Sequence, residues 1–304
     1  MLTYVSGNLF EAPVQTLVNA VNTVGVMGKG IALTFREIFP EMFREYRAVC
    51  ERGDLRVGGL HLWRGPTRYV LNFPTKEHWR NPSRLEYIEA GLRAFVNMYE
   101  RAGIHSIAFP PLGCGNGELE FAAVRPLMER YLAPLPITVL MYAPVPRRAV
   151  AEHRQPRAIA EWLRSAPAEL PFEEVWADLT EMFRVRVAVE TPSKAGQFEV
   201  QVADSGIAGL RIWMSGRRTT VVPKEQLAEA WKQLRDFGIL TARRLPVGLE
   251  KIGSYVLGIL ALLPYVQLVP LGTDYQMLGG SPMTGLQLAP AVGSSEPQRE
   301  LAFG

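Results

Sequence analysis

The sequence predicts an α/β fold for roughly the first half of the chain, a three-layer α/β/α sandwich with a central mixed sheet, followed by a smaller α+β domain. Three observations support this prediction. Apolar, β-rich runs alternate with amphipathic stretches, as in sheets that are covered by helices on both faces. Two glycine-rich stretches each follow a strand and lead into a helix. The alternation ends near Tyr142, and a second set of elements begins at about Phe172.

The elements of the first half follow from the hydrophobic pattern. Strands are predicted at runs rich in Val, Ile, Leu, Tyr and Phe, namely Leu2–Val5, Thr16–Val21, Leu60–Trp63, Tyr69–Phe73, Ser106–Phe109 and Ile137–Tyr142. Helices are predicted near Ile31–Phe39, Met42–Arg52, Arg84–Arg101 and Phe121–Tyr131. Ligands of such sheets bind where loops leave the carboxyl ends of the strands, so both glycine-rich stretches should open on one edge.

The domain organisation is predicted from changes in composition. The first domain covers residues 1–155, a linker with one proline-bounded helix covers 156–171, the second domain covers 172–271, and a tail rich in Gly, Pro and Ser covers 272–304. We expect the tail to be loosely ordered. The elements predicted in the second domain are helices Phe172–Phe183 and Lys224–Phe237, hairpin strands Phe198–Val202 and Leu210–Met214, and an apolar helix–strand segment within Tyr255–Val269.

The bulk composition excludes several classes of function. The 304 residues are 48% hydrophobic and 21% charged, which is typical of a soluble globular protein, and a net charge of +3 gives no argument for nucleic-acid binding. Two cysteines provide neither a disulfide framework nor a zinc cluster. The apolar run 255–269 is shorter than the roughly 20 residues of a membrane span and contains Pro264. With no signal peptide in the pattern, we expect a cytoplasmic protein without a membrane partner.

The first glycine loop lies in NAVNTVGVMGKGIALTF (19–35) and the second in PPLGCGNGELEF (110–121). Glycine allows close approach of backbone to a ligand, and N–H groups at a helix start attract anions. Neither loop matches a Walker or dinucleotide-binding pattern. Each loop alone can be read as a tight strand-to-helix turn, but as a pair they can clamp two linked phosphates. Asn19 is expected to cap loop backbone, whereas Asn22 lies nearer the loop and can bond a sugar hydroxyl.

Four motifs together resemble the macrodomain family of ADP-ribose-binding modules over about residues 1–155. They are Gly7-Asn8-Leu9, Asn19-x-x-Asn22, Gly28-Lys29-Gly30-Ile31-Ala32 and Gly113-Cys114-Gly115-Asn116-Gly117. More narrowly, the sequence is similar to the DNA ADP-ribosyl glycohydrolase antitoxins. These oppose DarT-like toxins, which ADP-ribosylate thymine in single-stranded DNA. The resemblance implies that the two loops embrace the diphosphate and distal ribose, with adenine near the residues after the first strand.

The resemblance also implies a set of ligand-binding residues, which comprises Asn8, Leu9, Asn22, Gly28, Lys29, Gly30, Ile31, Thr75, Gly113, Cys114, Gly115, Asn116 and Gly117. Two positions depart from the family pattern. Asn8 stands where many macrodomains have an Asp that accepts from the adenine amino group, a role that the Asn carbonyl can also fill. Gly117 stands where some terminal ADP-ribose glycohydrolases carry a catalytic Asp, so acid-assisted release from this position is not expected.

Lys76 lies just past a predicted strand, in YVLNFPTKEHW, in a chain that has six lysines against 27 arginines. An amine can lose its proton and attack the anomeric carbon of a sugar, which a guanidinium cannot do. The resemblance implies the same role, because the catalytic lysine of the family lies in an NFPTK context, here Asn72–Lys76. Lys76 is therefore the predicted catalytic nucleophile. The alternative is a solvated loop lysine that pairs with Glu77.

The predicted function is removal of ADP-ribose from thymine in single-stranded DNA, as the antitoxin to a DarT-like ADP-ribosyltransferase. Two alternatives stay open: a non-catalytic ADP-ribose reader, and a hydrolase of protein-linked ADP-ribose. No cofactor and no metal ion is expected, since the histidines and acidic residues show no metal-binding spacing. The resemblance implies that the second domain engages the toxin, where a basic turn at Gly216-Arg217-Arg218 is a candidate contact for DNA phosphates or an acidic partner.

Overall fold

The computed structural model describes residues 1–144, 150–193, 196–203, 206–214, 218–271 and 283–291. The chain divides into two compact units, one built on Met1–Glu161 and the other on Trp162–Ser294. The division falls within the stretch 156–171 that the sequence predicts as a linker, part of which is helix α5 (Pro156–Ser165).

The first unit contains a six-stranded mixed sheet. Its strands are β1 (Leu2–Val5), β2 (Thr16–Val21), β3 (His61–Arg64), β4 (Tyr69–Pro74), β5 (Ser106–Phe109) and β6 (Thr138–Tyr142). They lie in the order β1-β6-β5-β2-β4-β3, and all neighbours pair in parallel apart from β3, which is antiparallel to β4. The predicted mixed sheet is confirmed.

Helices cover both faces of this sheet: α1 (Gly30–Ile38) and α2 (Pro40–Glu51) on one side, α3 (Leu85–Met98) and α4 (Phe121–Leu132) on the other. Successive side chains of a strand point to opposite faces, so β2 contributes to both cores. Leu17 packs with the α1–α2 layer and Val18 with the α3–α4 layer. Each such buried side chain contributes roughly 1.5–3 kcal/mol. The result is the predicted three-layer sandwich.

The parallel strands β2, β4 and β5 end at the same edge of the sheet. The first glycine loop follows β2, Lys76 follows β4, and the second glycine loop follows β5. Helix α3 packs closely against β4 because residue 91 is a glycine. A Cβ at Gly91 would lie 2.2 Å from the ring of Phe73 in β4. The three candidate segments are thus brought together by strand order alone.

The second unit is α+β, as predicted. Its elements are helices α6 (Phe172–Met182), α7 (Lys224–Phe237) and α8 (Gly253–Ala261), and strands β7 (Val187–Glu190), β8 (Gln197–Val202), β9 (Gly209–Met214), β10 (Arg218–Pro223), β11 (Leu240–Thr241), β12 (Val266–Leu271) and β13 (Met283–Leu288). They form two antiparallel sheets, in the orders β10-β9-β8-β7 and β11-β13-β12. The predicted hairpin strands are β8 and β9, whereas strands β7, β10, β11 and β13 were not predicted.

Two predictions for the second half need correction or lie outside the described residues. The loose tail expected over 272–304 does not hold for β13, because that strand pairs with β12 and buries Leu286 completely. The rest of the tail lies outside the described residues, apart from 289–291. The basic turn at 216–218 lies outside them as well, except for the backbone of Arg218. None of the helices within the described ranges combines the length and apolar composition that a bilayer span requires.

Candidate functional site

The first glycine loop, 22–30, is held in shape by Asn22. Its Oδ1 accepts hydrogen bonds from the N–H groups of Val24 (3.1 Å) and Val26 (3.2 Å), and its Nδ2 donates to the Val26 carbonyl at 2.7 Å. The hydroxyl of Tyr46 in α2 donates to the Asn22 carbonyl at 2.7 Å. A short amide side chain thereby replaces the ladder bonds that end with β2. A sugar contact from Asn22 stays a prediction.

Asn19 has a different role from the one expected. It is fully buried, and its Nδ2 donates to Oδ1 of Asn72, its register partner in β4, at 3.0 Å. The prediction that Asn19 caps the loop backbone is therefore wrong, since its amide is used between strands and Asn22 supplies the caps. The Asn19–Asn72 pair joins the two strands that lead to the first loop and to Lys76.

The two glycine loops meet at Gly30 and Asn116. Gly30 is the first residue of α1 and has a φ of +60°, and a Cβ there would lie 2.7 Å from Nδ2 of Asn116. Any other residue would thus be strained and would collide with the second loop. Lys29 makes no side-chain cap, and α1 has no acidic residue in its first turn. The N–H groups at this helix start suit an anion such as a phosphate.

The second glycine loop, 113–117, is a compact turn supported by Ser83. The Ser83 N–H donates to the Gly117 carbonyl at 2.9 Å, and the Leu119 N–H donates to the Gly113 carbonyl at 3.0 Å. A Cβ at Gly117 would lie 2.1 Å from Oγ of Ser83 and 2.5 Å from the carbonyl oxygen of Gly113. Position 117 therefore has no room for the acidic side chain that some glycohydrolases carry there.

Lys76 is buried between these loops, with 6% of its surface exposed. Its Nζ donates to the backbone carbonyl of Asn116 at 3.2 Å and lies 3.6 Å from Oε2 of Glu152. The adjacent Thr75 continues the pairing of β4 with β2, because its N–H donates to the Val21 carbonyl at 2.9 Å. Glu77 is exposed. The alternative of a solvated lysine paired with Glu77 is wrong.

Glu152 is the buried charge that faces Lys76. It is 6% exposed, and burial raises the pKa of its carboxyl above the usual range, while the Lys76 ammonium opposes that rise. Taking two charges out of water costs several kcal/mol per ion, so each partner depends on the other. Removing either one leaves an uncompensated buried charge.

The segment Val150–Arg154 brings Glu152 to the site through contacts with both loops. Lys29 Nζ donates to the Val150 carbonyl at 2.8 Å. One carboxylate oxygen of Glu118 accepts a hydrogen bond from His153 Nε2 at 2.7 Å, and the other accepts one from Arg154 Nε at 2.8 Å. Desolvation would raise the pKa of Glu118, but these hydrogen bonds lower it below the usual range. Contacts before and after Glu152 in the chain therefore hold this segment next to Lys76.

The remaining predicted residues take structural positions around this centre. Asn8 caps the short helix Leu9–Glu11, accepting from Phe10 N–H at 3.1 Å, at the same sheet edge because β1 runs parallel to β6. Leu9 and Ile31 pack in the α1–α2 core, and Gly28 is buried. Burial raises the pKa of the Cys114 thiol to about 12, so this thiol is not a nucleophile at neutral pH.

The aromatic residues after Lys76 are partly structural. Trp79 is fully buried, and the Arg80 guanidinium lies 4.2 Å above its ring. Trp79 is thus part of the packed interior rather than a platform for a ligand. Within the described residues, no group of three or more His, Cys, Asp or Glu side chains is arranged to hold a metal ion.

The sheet order, the paired glycine loops and the buried lysine define the first unit as a macrodomain. Residues 18–128 match the family model of the macro domain. The resemblance inferred from the four motifs is confirmed.

The chain is similar in particular to DNA ADP-ribosyl glycohydrolases. That of Thermus aquaticus is 49% identical over 150 residues, covering 48% of this chain and 42% of that protein. A DNA ADP-ribosyl transferase–DNA ADP-ribosyl glycohydrolase fusion protein of Thermosipho africanus is 39% identical over 166 residues, covering 48% and 43%. The solved macrodomain of Thermus aquaticus DarG is 49% identical, with coverage of 47% and 99% and a TM-score of 0.46. The matched stretch thus spans less than half of each of these two full-length relatives.

Glu152 and the residues that hold it were not predicted as site residues, because they follow the last strand of the sheet, in the stretch that leads from the first domain into the predicted linker. One feature of the sequence does point to Glu152. Position 117 lacks an acid, and Glu152-His153-Arg154 is a run of polar, titratable side chains directly after the sheet. Contacts between segments so distant in sequence are set by tertiary packing, which no local pattern encodes.

The second loop provides a matched pair of glycines for a stability test. Gly117→Ala should destabilise the first unit by about 1–3 kcal/mol, because the new methyl group overlaps Ser83 and the Gly113 carbonyl. Gly115→Ala has nothing within 4 Å of its Cβ and should stay within about 0.5 kcal/mol. Hydrogen exchange of the β4 and β5 amides in the full chain measures both. Equal effects of the two substitutions would contradict the packing described for position 117.

Proposed function

We propose that this protein is a glycohydrolase that removes ADP-ribose from ADP-ribosylated thymine in single-stranded DNA, with Lys76 as the nucleophile. The observation that carries the proposal is the buried Lys76 amine, which lies against the second glycine loop of a macrodomain. A surface lysine would be strongly hydrated, whereas a buried amine is more easily deprotonated and can then act as a nucleophile.

The two glycine loops support ADP-ribose as the bound group. Gly30 and Asn116 bring the loops together, and the uncapped start of α1 suits a phosphate. Main-chain N–H groups of the second loop would face the other phosphate, because its glycines allow close approach. A diphosphate held between the loops leaves the distal ribose near the Asn116 carbonyl, which is where Lys76 Nζ lies.

The reaction that this placement favours is displacement at the anomeric carbon. The Lys76 ammonium first gives one proton to solvent, and the neutral amine then forms a bond to C1 of the distal ribose while the bond from C1 to the base nitrogen breaks. The base nitrogen keeps the electron pair and takes up the proton that the lysine nitrogen loses. Water then releases ADP-ribose and restores the amine. No step in this sequence requires a metal ion or a cofactor.

The DNA substrate and the antitoxin role are supported by the activities for which the relatives are named. Two of the most similar proteins are DNA ADP-ribosyl glycohydrolases, and one of these is fused to a DNA ADP-ribosyl transferase. Such a fusion joins the enzyme that adds the group to the enzyme that removes it. We therefore propose a DarT-like transferase as the cognate toxin, opposed in the cytoplasm by reversal of its product.

Substitution of Lys76 separates this proposal from its alternatives. Lys76→Ala and Lys76→Arg should each lower release of ADP-ribose from a modified oligonucleotide by at least about 1000-fold, because neither side chain offers a neutral amine. Affinity for free ADP-ribose, measured by calorimetry, should change by less than about tenfold. Chelation with EDTA should leave the unsubstituted protein's rate unchanged.

The controls distinguish the three candidate functions. Binding without any release by the unsubstituted protein would identify a reader. Faster release from a modified protein than from the oligonucleotide would identify a hydrolase of protein-linked ADP-ribose. Undiminished release by Lys76→Ala would eliminate the lysine mechanism.

We further propose that the second unit, over about residues 172–271, contacts the toxin. The proposal is supported by its separation from the macrodomain as a compact unit with its own sheets. Arg186 and Arg211 lie over the ring of Trp213 on the four-stranded sheet, at 4.1 and 6.0 Å from its centroid. An aromatic side chain flanked by arginines is a composition favoured at protein interfaces.

Hydrogen exchange of the full chain tests this second proposal. Addition of a DarT-like transferase should slow exchange of peptides from β7 to β10, and Trp213→Ala should weaken the complex by tenfold or more, at about 1.4 kcal/mol per factor of ten. Glu229→Ala, an exposed position on α7, serves as the control and should bind normally. Protection confined to residues 1–161 would contradict the assignment.

A further inference from the structure

We propose that Glu152 is the general base that activates water to release the sugar from Lys76. This inference rests on the proposed glycohydrolase function. It assigns the one step of that reaction for which the glycine loops and the lysine provide no group, namely removal of a proton from the attacking water.

The geometry places the Glu152 carboxylate at the nitrogen that would carry the sugar. Its Oε2 lies 3.6 Å from Lys76 Nζ, and both side chains are less than a tenth exposed. The Asn116 carbonyl occupies another side of the same nitrogen at 3.2 Å. A water hydrogen-bonded to this carboxylate would be close to the carbon that Nζ would carry.

The carboxylate is held in place by its neighbours along the chain. Ala151 before it is fully buried, and the Val150 carbonyl accepts from Lys29 in the first loop. His153 and Arg154 after it both bind Glu118, which directly follows the second loop. Contacts on both sides fix the position of Glu152, as a general base requires.

The acids nearest in sequence to the loops do not fit this role. Position 117 has no room for a side chain, since a Cβ there would overlap Ser83 and the Gly113 carbonyl. Glu118 uses both of its carboxylate oxygens for His153 and Arg154. Glu77, next to the lysine, is exposed. The Glu152 carboxylate, by contrast, lies 3.6 Å from the amine.

The step balances with one water. The Glu152 carboxylate takes a proton from water as the water oxygen forms a bond to C1 of the ribose. The bond between C1 and Lys76 Nζ breaks, and its electron pair returns to the nitrogen. Glu152 passes its proton to the nitrogen as this bond breaks, so that the nitrogen leaves as a neutral amine. ADP-ribose leaves with the new hydroxyl, and both side chains regain their starting states.

The electrostatics favour proton transfer at this moment. Burial raises the pKa of Glu152, and the charged Lys76 opposes that rise in the free protein. Once the lysine nitrogen is bonded to the sugar and uncharged, the opposing charge is gone. The carboxylate then binds a proton more strongly, at the step that needs a base.

Trapping of the lysyl-sugar intermediate tests the proposal in the full chain. Glu152→Gln should complete the first displacement and then stall, so the base is released once per protein molecule. Steady-state release of ADP-ribose should fall by roughly 100-fold or more. Borohydride, which reduces the ring-opened imine to a stable amine, should yield a mass increase on the peptide that contains Lys76. Glu152→Asp should recover part of the rate.

The matched control is Glu77→Gln, which removes a carboxylate beside Lys76 in sequence without touching the amine. It should keep the normal rate and trap no more adduct than the unsubstituted protein. Hydrogen exchange of β4 and affinity for ADP-ribose verify that Glu152→Gln and Glu152→Asp are folded.

Several outcomes would overturn the inference. Normal turnover by Glu152→Gln, a loss of rate without the burst or the adduct, or faster turnover with tighter ADP-ribose binding would each exclude a general base at this position. The last result would identify Glu152 as a competitor of the ligand. Failure of the proposed function is a distinct result, because the unsubstituted protein would then release no ADP-ribose from the oligonucleotide.

Discussion

The ion pair between Lys76 and Glu152 is the interaction on which the site depends. A lysine amine in a protein interior is costly unless a charge or a strong acceptor meets it, and here both do, through Glu152 at 3.6 Å and the Asn116 carbonyl at 3.2 Å. The pair connects the end of β4, the second glycine loop and the segment after the sheet. Because each segment depends on the charge of another, the three are expected to order together.

Space is the second constraint, and glycine meets it. Gly30 and Gly117 lie where a side chain would collide with Asn116 and Ser83 respectively. The loops therefore approach each other more closely than loops with side chains can, and they present backbone rather than side-chain groups to a ligand. For the same reason, position 117 has no room for an acidic side chain. We propose that Glu152, which lies after the last strand of the sheet, provides the carboxylate for which the second loop has no room.

Most of the first unit was predictable because its signals are local. Strands such as β2 are continuous apolar runs, and the helices between them have clear amphipathic faces. The meeting of the two loops and Lys76 at one edge followed from parallel strand order. The different roles of Asn19 and Asn22 could not be predicted in this way. A spacing of three residues does not show which amide pairs with the neighbouring strand and which caps the loop. The position of Glu152 could not be predicted either, because it is set by packing between segments far apart in sequence. Strand β13 was not predicted because it lies in a stretch whose Gly-rich composition is typical of a disordered tail.

The proposed reaction requires that the anomeric carbon of a bound ADP-ribose lies within reach of the Lys76 amine. A crystal structure of the full chain soaked with ADP-ribose measures this directly. The account predicts the diphosphate between the two glycine loops and C1 of the distal ribose about 3.5 Å from Lys76 Nζ. A ribose turned away from the lysine, with Nζ still bonded to the Asn116 carbonyl and out of reach of C1, would contradict it.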